Sequence, residues 1–236
     1  MLDLLSYGDG GWGDEILRGA GVTVMVAVLS FLFGIALGGL GAAGKLSRSR
    51  TARGAADVYT TIIRGVPALL IIWLLFFGGS GAVTWVAGLF GYGGRIEVGA
   101  FAVGVLAVGT VSGAYSTEVL RGAVQAVPAG QLEAAKALGM PRFLMFRRIL
   151  VPQTLRYALP GLGNVWQLTL KDTSLVSVAS LEELMRMSHL ASGATRQPFF
   201  FFAVAAALYL LMTTASNAAF ARAERHANRG VRRAGA

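Results

Sequence analysis

The sequence predicts an all-α polytopic membrane protein with five transmembrane helices, and three observations carry that expectation. Only 14% of its 236 residues are charged while 55% are hydrophobic, where ordinary soluble domains carry about 25% charged residues; the mean hydropathy is +0.61. Charge-free runs reach the roughly 20 residues needed to cross a bilayer, as at 19–44 and 197–221. The 21 basic residues sit beside these runs and not on a polar globular face, so the net charge of +9 points to a membrane surface and not to nucleic acid. The chain has no cysteine, which excludes disulfide frameworks and Cys-ligated metals.

Residues 1–18 are short and acidic, with Asp3, Asp9, Asp14 and Glu15 ahead of Arg18. They lack the positive start and apolar core of a cleavable signal peptide. The first span covers 19–44, and Gly34 and Gly38 in it have the small-xxx-small spacing that lets helices approach closely, with Gly39 and Gly41 alongside. A basic connection of Lys45, Arg48, Arg50 and Arg53 leads to a second span at 58–78, in which Pro67 kinks or re-aims the helix and Arg64 snorkels to the inner interface. Residues 78–95, with Trp85 and Tyr92 suited to an interface, form either an outer loop or a short re-entrant piece. A third span at 98–120 ends in Tyr115, Glu118 and Arg121, the last two three apart and close enough to pair on a helix. The fourth and fifth spans cover 157–180 and 197–221, and a basic tail follows.

Five spans place the termini on opposite sides. One side receives Lys45, Arg48, Arg50 and Arg53, then Arg121, Lys136, Arg142, Arg147, Arg148 and Arg156, then Arg222, Arg225, Arg229, Arg232 and Arg233. The other holds Arg18, Arg95, Arg186 and Arg196. By the positive-inside rule the N-terminus lies outside and the C-terminus is cytoplasmic, as is the loop 128–156.

That loop contains a short helix with a deliberate stop. Pro128 stands where a missing N–H costs nothing, and Gly139 with Pro141 supplies helix-ending chemistry. Between them Glu133, Ala134, Ala135, Lys136 and Ala137 offer small side chains that let another protein approach closely, the mark of a docking element. The spacing of Glu133, Ala134, Ala135, Gly139, Ile149 and Pro152 within QLEAAKALGMPRFLMFRRILVP resembles the EAA loop in permease subunits of binding-protein-dependent ABC importers, with Val151 standing where that pattern has Leu. The flanking segments IIRGVPALL, GAYSTEVLRGAVQAVP, LRYALPGLGNVWQLTLKDTSLVSV and EELMRMSHLASGATRQPF are similar to the polar amino-acid branch, the histidine, lysine, arginine and ornithine permeases and their opine-transporting relatives.

The resemblance implies a type I ABC importer permease fold in a single permease domain over 1–236, in a bacterial inner membrane. It implies ATPase coupling through Glu133, Ala134, Ala135, Gly139, Arg147 and Pro152. The implied partners are a dimer of ABC ATPase subunits, an extracytoplasmic amino-acid-binding protein and a second permease subunit, identical or related. No catalytic residue, cofactor or metal is expected. The chain has no GxxxxGK[ST] phosphate cradle, so the ATPase belongs to another subunit, and with two histidines it has no His-rich metal site.

In the fourth span Asn164, Gln167, Lys171 and Ser174 recur at intervals of three, four and three, one stripe of a helix, with Thr169, Asp172 and Thr173 widening it. Lys or Asp at a bilayer centre costs on the order of 3 kcal/mol or more, so these residues face a protein interior or an aqueous cavity. With Tyr115 and Glu118 they form the expected substrate pathway, in which Glu118, Asp172 and Tyr115 receive an ammonium or cationic side chain and Lys171 a carboxylate. A purely structural or subunit-contacting role for Lys171 and Asp172 stays open. Glu182, Glu183, Arg186, His189 and Arg196 form the outer surface where a loaded binding protein docks. An ion-coupled secondary transporter would show internal repeats and more spans; a non-transporting assembly subunit would leave the polar stripe without a purpose.

Overall fold

In the computed structural model, which describes residues 2–8, 10–94, 99–179 and 181–229, the chain folds into nine α-helices, with no strand among the described residues. They are α1 (Gly13–Lys45), α2 (Arg50–Gly65), α3 (Ala68–Leu89), α4 (Ala100–Gln125), α5 (Ala129–Ala137), α6 (Arg142–Met145), α7 (Val151–Asp172), α8 (Leu184–Thr195) and α9 (Pro198–Ala227). A π-helical turn over Phe146–Leu150 joins α6 to α7, and a 3-10 helix over Thr173–Ala179 follows α7. Asp9, Arg95, the start of the third expected span at 98, the end of the fourth at 180, and Arg232 and Arg233 lie outside the described residues.

Four helices, α1, α3, α4 and α9, are long and apolar enough to cross a membrane. The second differs from expectation. Val66 is extended (φ −105°, ψ 140°) because the ring of Pro67 disfavours helical backbone in the residue before it. The helix therefore breaks there, and the stretch 58–78 is divided between amphipathic α2 and apolar α3. The Gly-rich stretch after Phe77, expected as a loop or re-entrant piece, continues α3 as helix to Leu89. Trp73, Leu74, Phe77 and Trp85 are exposed on α3, the pattern of a lipid-facing span.

α1 packs most extensively on α4. A Cβ built on Gly34 would meet Ser112 Oγ at 2.6 Å, and one on Gly38 would meet Ser116 Cβ at 2.5 Å and its backbone carbon at 3.0 Å. The expected small-residue seam is thus the α1–α4 interface. Gly39, one residue on, would place a Cβ in open space. Gly38→Ala is expected to destabilise by about 1–3 kcal/mol through overpacking, whereas Gly39→Ala should be neutral or stabilising by up to about 1 kcal/mol through helix propensity. Thermal unfolding of the two purified variants in detergent checks the contrast; equal melting temperatures would mean that the seam is not tight.

α7 packs on α4 and α9, burying Thr154, Ala158, Leu162, Val165, Thr169 and Leu170. Phe31 of α1 anchors this region edge-on against Trp166 (5.4 Å) and Phe220 (6.2 Å). Polar bonds join the helices where lipid provides no hydrophobic drive: Ser30 Oγ donates to Val105 O at 3.1 Å, Tyr59 OH to Thr110 O at 2.7 Å, and Thr169 Oγ1 to Ser112 Oγ at 3.0 Å. α8 fills the outer loop expected between the last two spans and sits between α1 and α9.

Candidate functional site

The stopped helix takes the form its residues dictate. α5 begins after Pro128 and ends in a Schellman arrangement: Gly139 N–H donates to Lys136 O at 2.9 Å and Met140 N–H to Ala135 O at 3.0 Å. This requires the left-handed backbone of Gly139 (φ 72°). At 100° per residue, Gly130, Glu133, Ala134 and Ala137 fall on one side of α5 and are exposed, while Ala135, 3% exposed, turns toward the body of the protein. Arg147 is exposed on the π-helical turn, and Pro152 occupies the second position of α7, directly after that turn. Five of the six residues are thus exposed along the segment between α4 and the first turn of α7, while Ala135 packs inward.

The polar stripe of α7 occupies the side away from the α4 packing face. Asn164 and Lys171 are exposed, and Gln167, Asp172 and Ser174 are half-buried. Gln167 Nε2 donates to Asn217 Oδ1 of α9 at 2.8 Å, while its own Oε1 is buried without a partner. Ser174 Oγ turns back to Lys171 O at 2.7 Å. Lys171 and Asp172 have no ion-pair partner among the described residues. A helix between apolar neighbours therefore presents a lysine and an aspartate without an ion-pair partner among the described residues, together with two amides.

Tyr115 and Glu118 belong elsewhere. The Glu118 carboxylate accepts from Lys45 Nζ at 2.5 Å and from Arg121 Nε and Nη2 at 3.0 and 2.9 Å, with Arg64 Nη1 3.9 Å away. Lys45 also reaches Asp57 at 2.9 Å. Arg64, expected to snorkel, lies over the Tyr115 ring at 5.4 Å. This network ties the end of α1 to α2 and α4, and both carboxylate oxygens are committed to it.

A second node lies at the other end of α1. Glu183, read from sequence as part of an outer docking surface, has no exposure and caps α8, accepting from Met185 N–H at 2.9 Å and Arg186 N–H at 2.7 Å. Thr23 and Tyr209 hydroxyls each stand 3.2 Å from its Oε2, and Leu184 N–H donates to Thr23 Oγ1 at 3.1 Å. Thr23 and Lys45 are 22 residues apart on α1, or about 33 Å at 1.5 Å per residue, close to the roughly 30 Å of a bilayer's hydrocarbon core.

Sequence reasoning passed over Thr23, Asp57, Tyr209 and Asn217 and read Lys45 only as part of a basic connection. Asn217 alone carried a signal, as the one amide inside the apolar run of α9.

A helical bundle of apolar spans, a helix face whose lysine and aspartate have no ion-pair partner among the described residues, and a stopped surface helix fit the membrane subunit of a transport system. Residues 30–229 match the family model for the binding-protein-dependent transport system inner membrane component, and the chain belongs to that family as a permease subunit of the inner membrane. It is 56% identical to the nopaline transport system permease protein NocQ of Agrobacterium fabrum, over 98% of both chains. It is 43% identical to the histidine/lysine/arginine/ornithine transport system permease protein HisQ of Escherichia coli, over 95% of this chain and 98% of that one. A crystal structure of an amino acid ABC transporter with histidines superposes with a TM-score of 0.77 at 30% identity, over 91% of this chain and 95% of that one. The MetNI methionine ABC transporter shares the fold, with a TM-score of 0.74 at 15% identity over 91% and 97%. Nothing in these likenesses favours an ion-coupled secondary transporter or an assembly subunit.

Proposed function

We propose that the chain forms one half of an ATP-driven import pathway for a polar or cationic amino acid, or for an opine-like derivative. The observation that carries this reading is the polar face of α7, whose Lys171 and Asp172 have no ion-pair partner among the described residues, with relatives whose names specify nopaline and histidine, lysine, arginine and ornithine. α7 has 22 residues, about 33 Å of helix, and serves as the fourth of five spans in chain order, placing the N-terminus outside and the tail in the cytoplasm. Asn164, Gln167, Lys171, Asp172 and Ser174, with Asn217, line the pathway. Asp172 receives a cationic or ammonium group and Lys171 a carboxylate; Glu118 and Tyr115 are given a structural role.

One such face makes half a channel, and a second permease, identical or related, supplies the other. The exposed side of α5, centred on Glu133 and Ala134, seats in one subunit of an ATPase dimer, with Gly139, Arg147 and Pro152 holding its orientation. A binding protein delivers cargo to the outer ends of α8 and α9, where Arg186, His189 and Arg196 remain available while Glu183 does not. Asp172→Asn is expected to raise the KM for a cationic substrate by roughly ten- to a hundredfold, the loss of about 1.5–3 kcal/mol of charge-assisted bonding. Uptake of radiolabelled arginine by the assembled importer in proteoliposomes measures this. An unchanged KM would remove Asp172 from the pathway.

A further inference from the structure

We propose that the permease holds one anionic phospholipid at the foot of α1, α4 and α7, with its phosphate between α5 and the α1–α2 connection and an acyl chain in the apolar cavity behind. Two adjoining spaces carry this inference. The first is a cleft of about 1140 Å³ whose polar lining is Arg48, Lys136 and Arg142, above an apolar floor that includes Met145, Phe146 and Leu150. Its lining contains no acidic residue, and none of the three basic side chains has an ion-pair partner among the described residues. The second, about 330 Å³, is almost wholly apolar, running between Gly39, Ala43 and Leu46 of α1 and its end, Val124 of α4, and Thr154 and Leu155 of α7.

Phe146 and Leu150 line both spaces. They are the two ends of the π-helical turn, a distortion that recurs at functional sites because it opens a helix face. Rim residues Leu46, Phe146 and Leu155 are 41%, 54% and 49% exposed. A cluster of cations leading into a dry slot matches an amphiphile with an anionic head and a hydrocarbon tail. Basic pockets between membrane helices near a charged leaflet take such headgroups. A soluble anion would leave the slot empty, and a neutral lipid would leave the cations uncompensated.

The cleft lies on the far side of α5 from its docking face. Leu132, Lys136 and Gly139 line the cleft, while Glu133, Ala134 and Ala137 point the other way. A lipid seated there supports α5 from behind without competing for the surface an ATPase would use. Assigning the site to the inner leaflet rests on the orientation proposed above; the binding itself does not.

The test uses the full-length chain in phosphatidylcholine nanodiscs containing a trace of phosphatidylglycerol that bears a diazirine at an acyl terminus. After photolysis, labelled residues are mapped by mass spectrometry. Labelling should concentrate on Val124 and Leu155. It should be competed by unlabelled phosphatidylglycerol but not by added phosphatidylcholine or by soluble glycerol phosphate. Lys136→Gln and Arg142→Gln should each lower it about fivefold. Gly39→Leu, whose Cβ enters open space in the wall of the slot and whose side chain would occupy it, should abolish it. Labelling spread over exposed Trp73, Leu74 and Phe77 as strongly as over the cavity would overturn the proposal, as would equal competition by phosphatidylcholine. Competition by glycerol phosphate would reassign the cations to a free anion, and unchanged labelling in Gly39→Leu would remove the acyl slot.

Discussion

Glu133→Arg is expected to abolish ATP-driven uptake while leaving the permease folded and in the membrane. Glu133 is exposed on a face of α5 that it shares with Gly130, Ala134 and Ala137. No hydrogen bond or ion pair holds its side chain among the described residues, so replacing it costs the fold little. The cost falls on the partner. A short carboxylate flanked by residues with little or no side chain fits a surface that approaches the backbone closely; a long cation reverses the charge and fills that space. Like-charge juxtaposition at an interface costs several kcal/mol, and each 1.4 kcal/mol is a tenfold loss of association, so uptake should fall by on the order of a hundredfold or more. Glu133→Gln, which keeps the shape, should lose much less. A comparable loss in both variants would show that the added size and reversed charge of arginine are not what breaks the coupling.

Glu183→Ala should have the largest effect on stability. Its carboxylate satisfies two backbone N–H groups at the start of α8 and stands within reach of hydroxyls from α1 and α9. Alanine removes the cap, worth about 1 kcal/mol, and leaves buried donors without an acceptor at about 1–3 kcal/mol. A loss on the order of 3 kcal/mol is expected. Glu182→Ala, one residue earlier and exposed, should change nothing, and Glu183→Gln should fall between. Thermal unfolding in detergent orders the three; equal effects of Glu182→Ala and Glu183→Ala would contradict the buried node.

These two glutamates show what the sequence could reveal. α5 was legible because its ends are local chemistry: Pro128 and Gly139 need no information beyond their neighbours. The apolar spans were legible because a bilayer imposes length and composition on any helix that crosses it. The polar stripe of α7 followed from the helical period. Nothing local distinguishes Glu182 from Glu183, since burial is decided by Thr23 and Tyr209, which come from opposite ends of the chain. Glu118 was placed on a pathway because its partners Lys45 and Arg64 lie 73 and 54 residues away in sequence and meet it only in the folded bundle. Pro67 signalled a disturbance but not its outcome: a kink and a break share the same local cause, and the surrounding helices select the break.

The account's main claim is that this chain conducts an amino acid only as part of an ATP-driven assembly, and reconstitution tests it most directly. The permease is placed in proteoliposomes alone, then with its ATPase, binding protein and any second permease, and uptake of radiolabelled arginine, lysine, histidine, glutamine, octopine and nopaline is followed with and without ATP. The account predicts uptake only in the complete mixture with ATP, lost with Glu133→Arg. Uptake by the chain alone under an ion gradient, indifferent to Glu133→Arg, would contradict it.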